Sequence, residues 1–208
     1  MKGKFIVFEG VEGCGKTSQI QRIQEWLHSL NISAIVTREP GGTELGLYLR
    51  QLLLESGTTS IADRTELFLY AADRSQHVEG IIKPALAEGK VVLCDRYTDS
   101  TIAYQGWGRG ISLDTIEQLN FLATDGLQSD LTILLDIDPE ISFNRILAKR
   151  KLDRMEQADL KFHHRVRQGF LSLAEKFPER IVALDGDREI DKVTADIQQL
   201  LTGLGLGD

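Results

Sequence analysis

Lys4-Phe5-Ile6-Val7-Phe8-Glu9-Gly10-Val11-Glu12-Gly13-Cys14-Gly15-Lys16-Thr17 decides the fold. The apolar run Phe5 to Phe8 is too short for a helix and reads as a strand buried on both faces, as in a parallel sheet. From Gly10 the chain matches G-x-x-x-x-G-K-[ST]. Glycines let the backbone curl so that successive N–H groups point inward at phosphate oxygens. A helix-period segment begins at the lysine and adds unpaired N–H groups and the positive end of its dipole. Lys16 is placed to reach the β- and γ-phosphates of a nucleoside triphosphate, and the Thr17 hydroxyl to ligate Mg²⁺. Gly10, Val11, Glu12, Gly13, Cys14, Gly15, Lys16 and Thr17 thus form a candidate triphosphate site. The motif leaves the acceptor open.

Outward from this loop, Ser33 to Thr37, Val91 to Asp95, Leu131 to Asp136 and Ile181 to Leu184 repeat the strand pattern of Lys4 to Glu9. Ile20, Ile23, Leu27 and Leu30 recur at helical spacing, as do Val193, Ile197, Leu200 and Leu201. Strands alternating with helices predict an α/β fold: a three-layer sandwich around a central parallel sheet of about five strands. Residues 1–208 read as one domain, with a frayed glycine-rich end from Thr202 to Asp208. The basic stretch Arg145 to Arg154 (RILAKRKLDR) stands apart and predicts a mobile lid at about 145–158.

The composition excludes several classes. With 24 basic and 31 acidic residues the net charge is −7, which argues against a general nucleic-acid binder. No run reaches the roughly 18 apolar residues of a membrane span. The start, MKGKFIVFEG, has basic residues before an apolar run, but that run is short and ends in an acid, so it reads as a strand and not a signal peptide. Cys14 and Cys94 lack metal-ligand spacing and are expected to be reduced thiols in a cytoplasmic protein. His77 reads as a cap or packing residue. His163 and His164 adjoin a basic helix without a zinc set, and Trp26 and Trp107 suit packing.

Two further strand ends carry phosphate chemistry, where an open α/β sheet binds its ligands. Asp95-Arg96-Tyr97 sets an acid to organise Mg²⁺ beside an arginine able to bridge two phosphate groups. Thr37-Arg38-Glu39-Pro40-Gly41-Gly42-Thr43 is a turn bearing a charged pair.

The set GVEGCGKT (10–17), TREPGGT (37–43), DRYTDSTIAYQG (95–106) and LDR (152–154) resembles the thymidylate kinase family, in the family's order and over nearly the whole chain. DRYTDSTIAYQG is its most specific part. The resemblance implies a phosphate-loop NTPase fold of the nucleoside monophosphate kinase type. It also implies transfer of the γ-phosphoryl group of ATP to dTMP with Mg²⁺, giving dTDP for dTTP synthesis, by a homodimer. Tyr70 and Arg74, four apart on one helix face, correspond to the family's thymine-stacking aromatic and its hydrogen-bond donor to O4. Tyr70 replaces the usual phenylalanine, and Phe68 is the competing aromatic. Gln105 and Ser100 are implied at the pyrimidine edge and Tyr104 against the deoxyribose. Arg96 and Arg38, with Arg50 as a further candidate, are implied at the acceptor phosphate beside Glu39 and Pro40.

Some family members carry an arginine inside the phosphate loop; Gly13 stands there in this chain. The lid supplies Arg145, Arg150 and Arg154 instead, and Arg150 and Arg154 are expected to close over ATP as arginine fingers beside Lys16, Asp95 and Arg96. Glu12 is expected near the acceptor sugar or the Mg²⁺ waters. A kinase for another monophosphate is the nearest rival. A GTP-dependent switch would need Asn-Lys-x-Asp and Asp-x-x-Gly, and neither string occurs.

Overall fold

The computed structural model describes residues 3–55, 60–148 and 152–207. Five strands, β1 (Lys4–Glu9), β2 (Ala34–Arg38), β3 (Val91–Asp95), β4 (Leu131–Asp136) and β5 (Ile181–Asp185), form one sheet in the order β2-β3-β1-β4-β5. Every pairing is parallel. All the expected strands are present, with β2 shifted by one residue and β5 extended to Asp185. The ladder explains the shift at β2: Ser33 only accepts, from Val91 N, whereas Arg38 pairs with Asp95.

Alternation along β1 sends its side chains to two separate clusters. Ile6 and Phe8 join Ile20, Ile23 and Leu27 of α1 (Lys16–Ser29). Phe5 and Val7 pack with Val92, Cys94, Val78, Ile82 and Ala85. Both faces of the sheet are therefore covered, as its apolar runs require. The other helices are α2 (Glu44–Leu54), α3 (Asp63–His77), α4 (Lys83–Ala87), α5 (Thr98–Thr101), α6 (Leu113–Thr124), α7 (Pro139–Leu147), α8 (Leu160–Lys176) and α9 (Ile190–Gly203). Val78–Ile82 and Ile102–Gly108 are π-helical.

Helix starts follow local chemistry. Thr43 Oγ1 accepts from Gly46 N at 3.0 Å to cap α2, and Asp159 Oδ1 accepts from Phe162 N at 2.7 Å to cap α8. α1 has no side-chain cap. Its opening N–H groups face the loop that precedes it.

Of the lid stretch, Arg145 belongs to α7, and residues 149–151, including Arg150, lie outside the described residues. From residue 152 the chain folds back onto the body. Asp153 Oδ1 accepts from Met155 N and Glu156 N, both at 2.9 Å, and Met155 and Glu156 are buried.

Candidate active site

Gly10 to Thr17 follow β1 and open α1, as the sequence predicts. Lys16 is buried, and its Nζ donates to Gly10 O at 3.2 Å and Val11 O at 3.3 Å. Gly13 has φ +73°, and a Cβ there would lie 3.0 Å from both Ser142 O and Ile146 Cγ1. Ser142 Oγ donates to Glu12 O, so α7 presses directly on the loop. That contact explains why Gly13 stands where an arginine might be sought: a side chain there is strained and crowded.

Asp95 closes β3 beside this loop. Its Oδ1 is 4.0 Å from Lys16 Nζ, buried, and without a hydrogen-bond partner among the described residues. Asp95 and Thr17 line one cleft with Arg38, Thr37, Gly41 and Gly42. An orphaned carboxylate oxygen in one cleft with the Thr17 hydroxyl, close to the Lys16 ammonium, fits Mg²⁺, whose remaining positions are ordinarily filled by phosphates and water. Arg38 lies in this cleft and not in the neighbouring pocket described next, where most of the expected acceptor residues meet.

That pocket is lined by Glu12, Glu39, Pro40, Arg50, Tyr70, Arg74, Arg96, Ser100, Tyr104 and Gln105. Every expected acceptor residue except Arg38 is there. Tyr70 lines this pocket, whereas the competing aromatic Phe68 is exposed and absent from the lining. Arg96 adopts φ +73°, a conformation rare for a side-chain-bearing residue. Its Nη2 donates to Glu12 Oε1 at 2.7 Å and Tyr104 Oη at 3.1 Å, and its Nη1 to Ser100 Oγ at 3.0 Å.

Glu9 braces that conformation from below. Fully buried, it accepts from Tyr97 N at 2.8 Å and from Ser100 N at 3.0 Å and Ser100 Oγ at 2.6 Å. Burial pushes its pKa up to about 7, against the opposing pull of Arg96.

Arg74 is buried, and its head is fixed on three sides: Nε to Glu39 Oε2 at 2.8 Å, Nη1 to Asn120 Oδ1 at 2.7 Å and Nη2 to Tyr97 O at 3.0 Å. Glu39 Oε1 in turn meets His77 Nδ1 at 3.0 Å, and His77 Nε2 meets Thr37 Oγ1 at 2.6 Å. His77 therefore neither caps nor merely packs; it holds Glu39, which orients Arg74. Two of the five guanidinium N–H bonds of Arg74 lie outside these contacts.

Several lining residues were not singled out as site residues in the sequence. Leu54, Thr101, Asp153, Met155, Glu156 and His163 complete the pocket, Thr101 and Asp153 from within quoted motifs. His163 Nε2 is buried without a hydrogen-bond partner among the described residues, and burial lowers its pKa, which favours the neutral ring. Arg154 Nε donates to Leu53 O at 2.6 Å and its Nη2 to Glu66. It was expected over ATP; its contacts here are with Leu53 and with the buried carboxylate of Glu66, which attracts it. On the other flank of the phosphate loop, Gly13, Cys14, Gly15, Ser18, Gln19, Arg145, Gly186 and Arg188 line a second cleft. Gly186 and Arg188 follow β5, so the rule that ligands gather at strand ends was the signal available for them. Among the described residues no cluster of three metal-ligating side chains occurs, and no helix is long and apolar enough to cross a membrane.

A family model described as Thymidylate kinase matches residues 8–197. The chain is 60% identical over 206 residues to a thymidylate kinase of Nostoc punctiforme, covering 97% of this chain and 96% of that protein. It is 46% identical to one from Geobacter sp. strain M21, over 96% of this chain and 91% of that one. A crystal structure of thymidylate kinase from Ehrlichia chaffeensis superposes with a TM-score of 0.81 at 35% identity, covering 97% of this chain and all of that one.

Proposed function

The chain belongs to the thymidylate kinase family and converts dTMP to dTDP, and from that premise we propose how its residues divide the work, with ATP as donor and Mg²⁺ as cofactor. One observation carries the reading. A single pocket collects Tyr70, Arg74, Arg96, Ser100, Tyr104 and Gln105, and Arg96 binds the phosphate loop through Glu12.

Phosphoryl transfer asks the protein mainly for positioning and positive charge. Gly10 to Thr17 wrap the triphosphate, and Lys16 exchanges its carbonyl partners for β- and γ-phosphate oxygens. The second cleft, with Arg145 and Arg188, takes the nucleoside end of ATP. Thr17 and Asp95 hold Mg²⁺, which when bound neutralises charge on the phosphate oxygens. Tyr70 stacks on thymine, while Arg74 and Gln105 meet its polar edge. Tyr104 packs against the sugar where a 2′-hydroxyl would stand. Arg96 and Arg50 hold the acceptor phosphate, with Arg38 on the Mg²⁺ side. Arg154 anchors the arm at 152–156 on the acceptor pocket, and Arg150 brings charge to the transferring group as the lid closes and excludes water.

Exposed apolar residues on three neighbouring helices, among them Tyr48 on α2, Phe68 on α3 and Leu122 on α6, support a homodimer through this face. Two free cysteines, both buried, suit a cytoplasmic setting. A coupled ADP-release assay over a panel of monophosphates tests the whole reading. dTMP should give the fastest release, and equal release without any acceptor would overturn it.

A further inference from the structure

Glu66 lies on α3 one turn before Tyr70, is fully buried, and does not line the acceptor pocket. Its Oε1 accepts from Gln105 Nε2 at 2.8 Å. Its Oε2 accepts from Arg109 Nη2 at 3.4 Å and from Arg154 Nη2. A carboxylate flanked by two guanidinium groups has acceptors only. The end of the Gln105 amide that faces it must therefore be the NH₂ group. A flipped amide would set a carbonyl oxygen against a carboxylate oxygen, with no proton between them.

The consequence reaches the pocket, because Gln105 lines it beside Tyr70 and Arg74. With Nε2 committed to Glu66, the end of the amide left to a ligand is the acceptor Oε1, with the second N–H of Nε2 beside it. That order complements a pyrimidine with a donor at N3 and an acceptor at C4. A pyrimidine with an acceptor at N3 and an amine at C4 needs the amide reversed, and Glu66 opposes the reversal.

We propose that Glu66 is a positioning residue for base selection: it sets the amide of Gln105 one way round, so that the pocket takes the diketo pyrimidine and rejects the amino-keto one. The inference rests on the acceptor assignment above. Arg154 shares the same carboxylate, so the arm that covers the pocket and the group that reads the base are held at one point.

The test uses the full chain, without ATP, titrated calorimetrically with dTMP and with 5-methyl-dCMP. The two ligands share the methyl group and sugar phosphate and differ only at the base edge. The unaltered protein should favour dTMP by about 100-fold or more, as expected of a site built around hydrogen bonds. In Glu66→Gln a neutral amide accommodates either orientation of Gln105. The ratio of the two Kd values should then shrink at least about tenfold, chiefly through tighter 5-methyl-dCMP binding. Equal weakening of both ligands with an unchanged ratio would mean that Glu66 is merely structural. If Glu66→Gln does not melt cooperatively, Glu66→Gln combined with Arg154→Met removes one of the two cations left facing an amide, and the same ratio decides. Unaltered protein that binds both nucleotides equally sinks this inference alone. Unaltered protein that binds neither sinks the acceptor assignment beneath it.

Discussion

Arg96 Nη2 lies 2.7 Å from Glu12 Oε1, joining the end of β3 to the phosphate loop. The same guanidinium touches Ser100 and Tyr104, so donor loop and acceptor pocket share one cation. Two phosphate groups brought together there meet positive charge already oriented, with little left to reorganise.

Arg96→Lys keeps the charge but loses the fork, because one ammonium cannot serve Glu12, Ser100 and Tyr104 together. kcat/KM for dTMP is expected to fall about 100-fold or more, read by coupled ADP release. A value within twofold of the unaltered enzyme would detach Arg96 from the acceptor phosphate.

Gly13→Ala introduces a Cβ at φ +73°, pressed on Ser142 and Ile146 of α7. Forcing this backbone on a residue with a Cβ costs about 1–2 kcal/mol before any crowding. Melting temperature should drop by several degrees and ATP affinity with it. Unchanged values would show that the loop relaxes freely away from α7.

Glu9 has a folded-state pKa raised from 4.5 to about 7 by burial. The folded protein therefore binds more protons than the unfolded chain between these values. The Glu9 contribution to stability is complete below about pH 4.5 and is lost as pH rises through about 7. Glu9→Gln removes the titration. Its stability relative to the unaltered protein should climb between pH 5 and 8 by an amount on the order of a few kcal/mol. Urea unfolding across this range measures it, and parallel curves would place the Glu9 pKa in the ordinary carboxylate range.

Arg154→Ala frees the arm at 152–156 from Leu53 and Glu66 and removes one lid cation. kcat is expected to fall by about one to several powers of ten. Turnover that stays unchanged removes Arg154 from the lid.

Leu122→Glu places a charge on the exposed face of α6. If this face joins two copies, light scattering should record a monomer in place of a dimer, with the fold intact by circular dichroism. A dimer that persists assigns the contact to another face.

The phosphate loop and the sheet were legible because each rests on residues close in sequence. Gly10 to Thr17 are contiguous, and the β1 run is too apolar for an edge. The residues that line the pocket were named through the resemblance to the thymidylate kinase family, with the strand-end rule pointing only to Asp95, Arg96 and the turn at 37–43. What stayed hidden joins distant residues. Nothing in the sequence pairs Glu66 with Gln105 or Glu9 with Ser100, nor links Thr37, His77 and Glu39. Buried carboxylates on helices look like ordinary surface acids until packing turns them inward. The π-helical Ile102–Gly108 also lacks a periodic signature, although it carries Tyr104 and Gln105. Arg38 and Arg154 show the same limit: a residue type announces a charge, and only the fold decides which cleft it lines.

A crystal structure with dTMP and a non-hydrolysable ATP analogue tests the central claim most directly. Thymine should stack on Tyr70 with its edge on Arg74 and Gln105, its phosphate on Arg96, and the triphosphate on Lys16. Thymine bound away from those three side chains would contradict the account, whatever the position of the triphosphate.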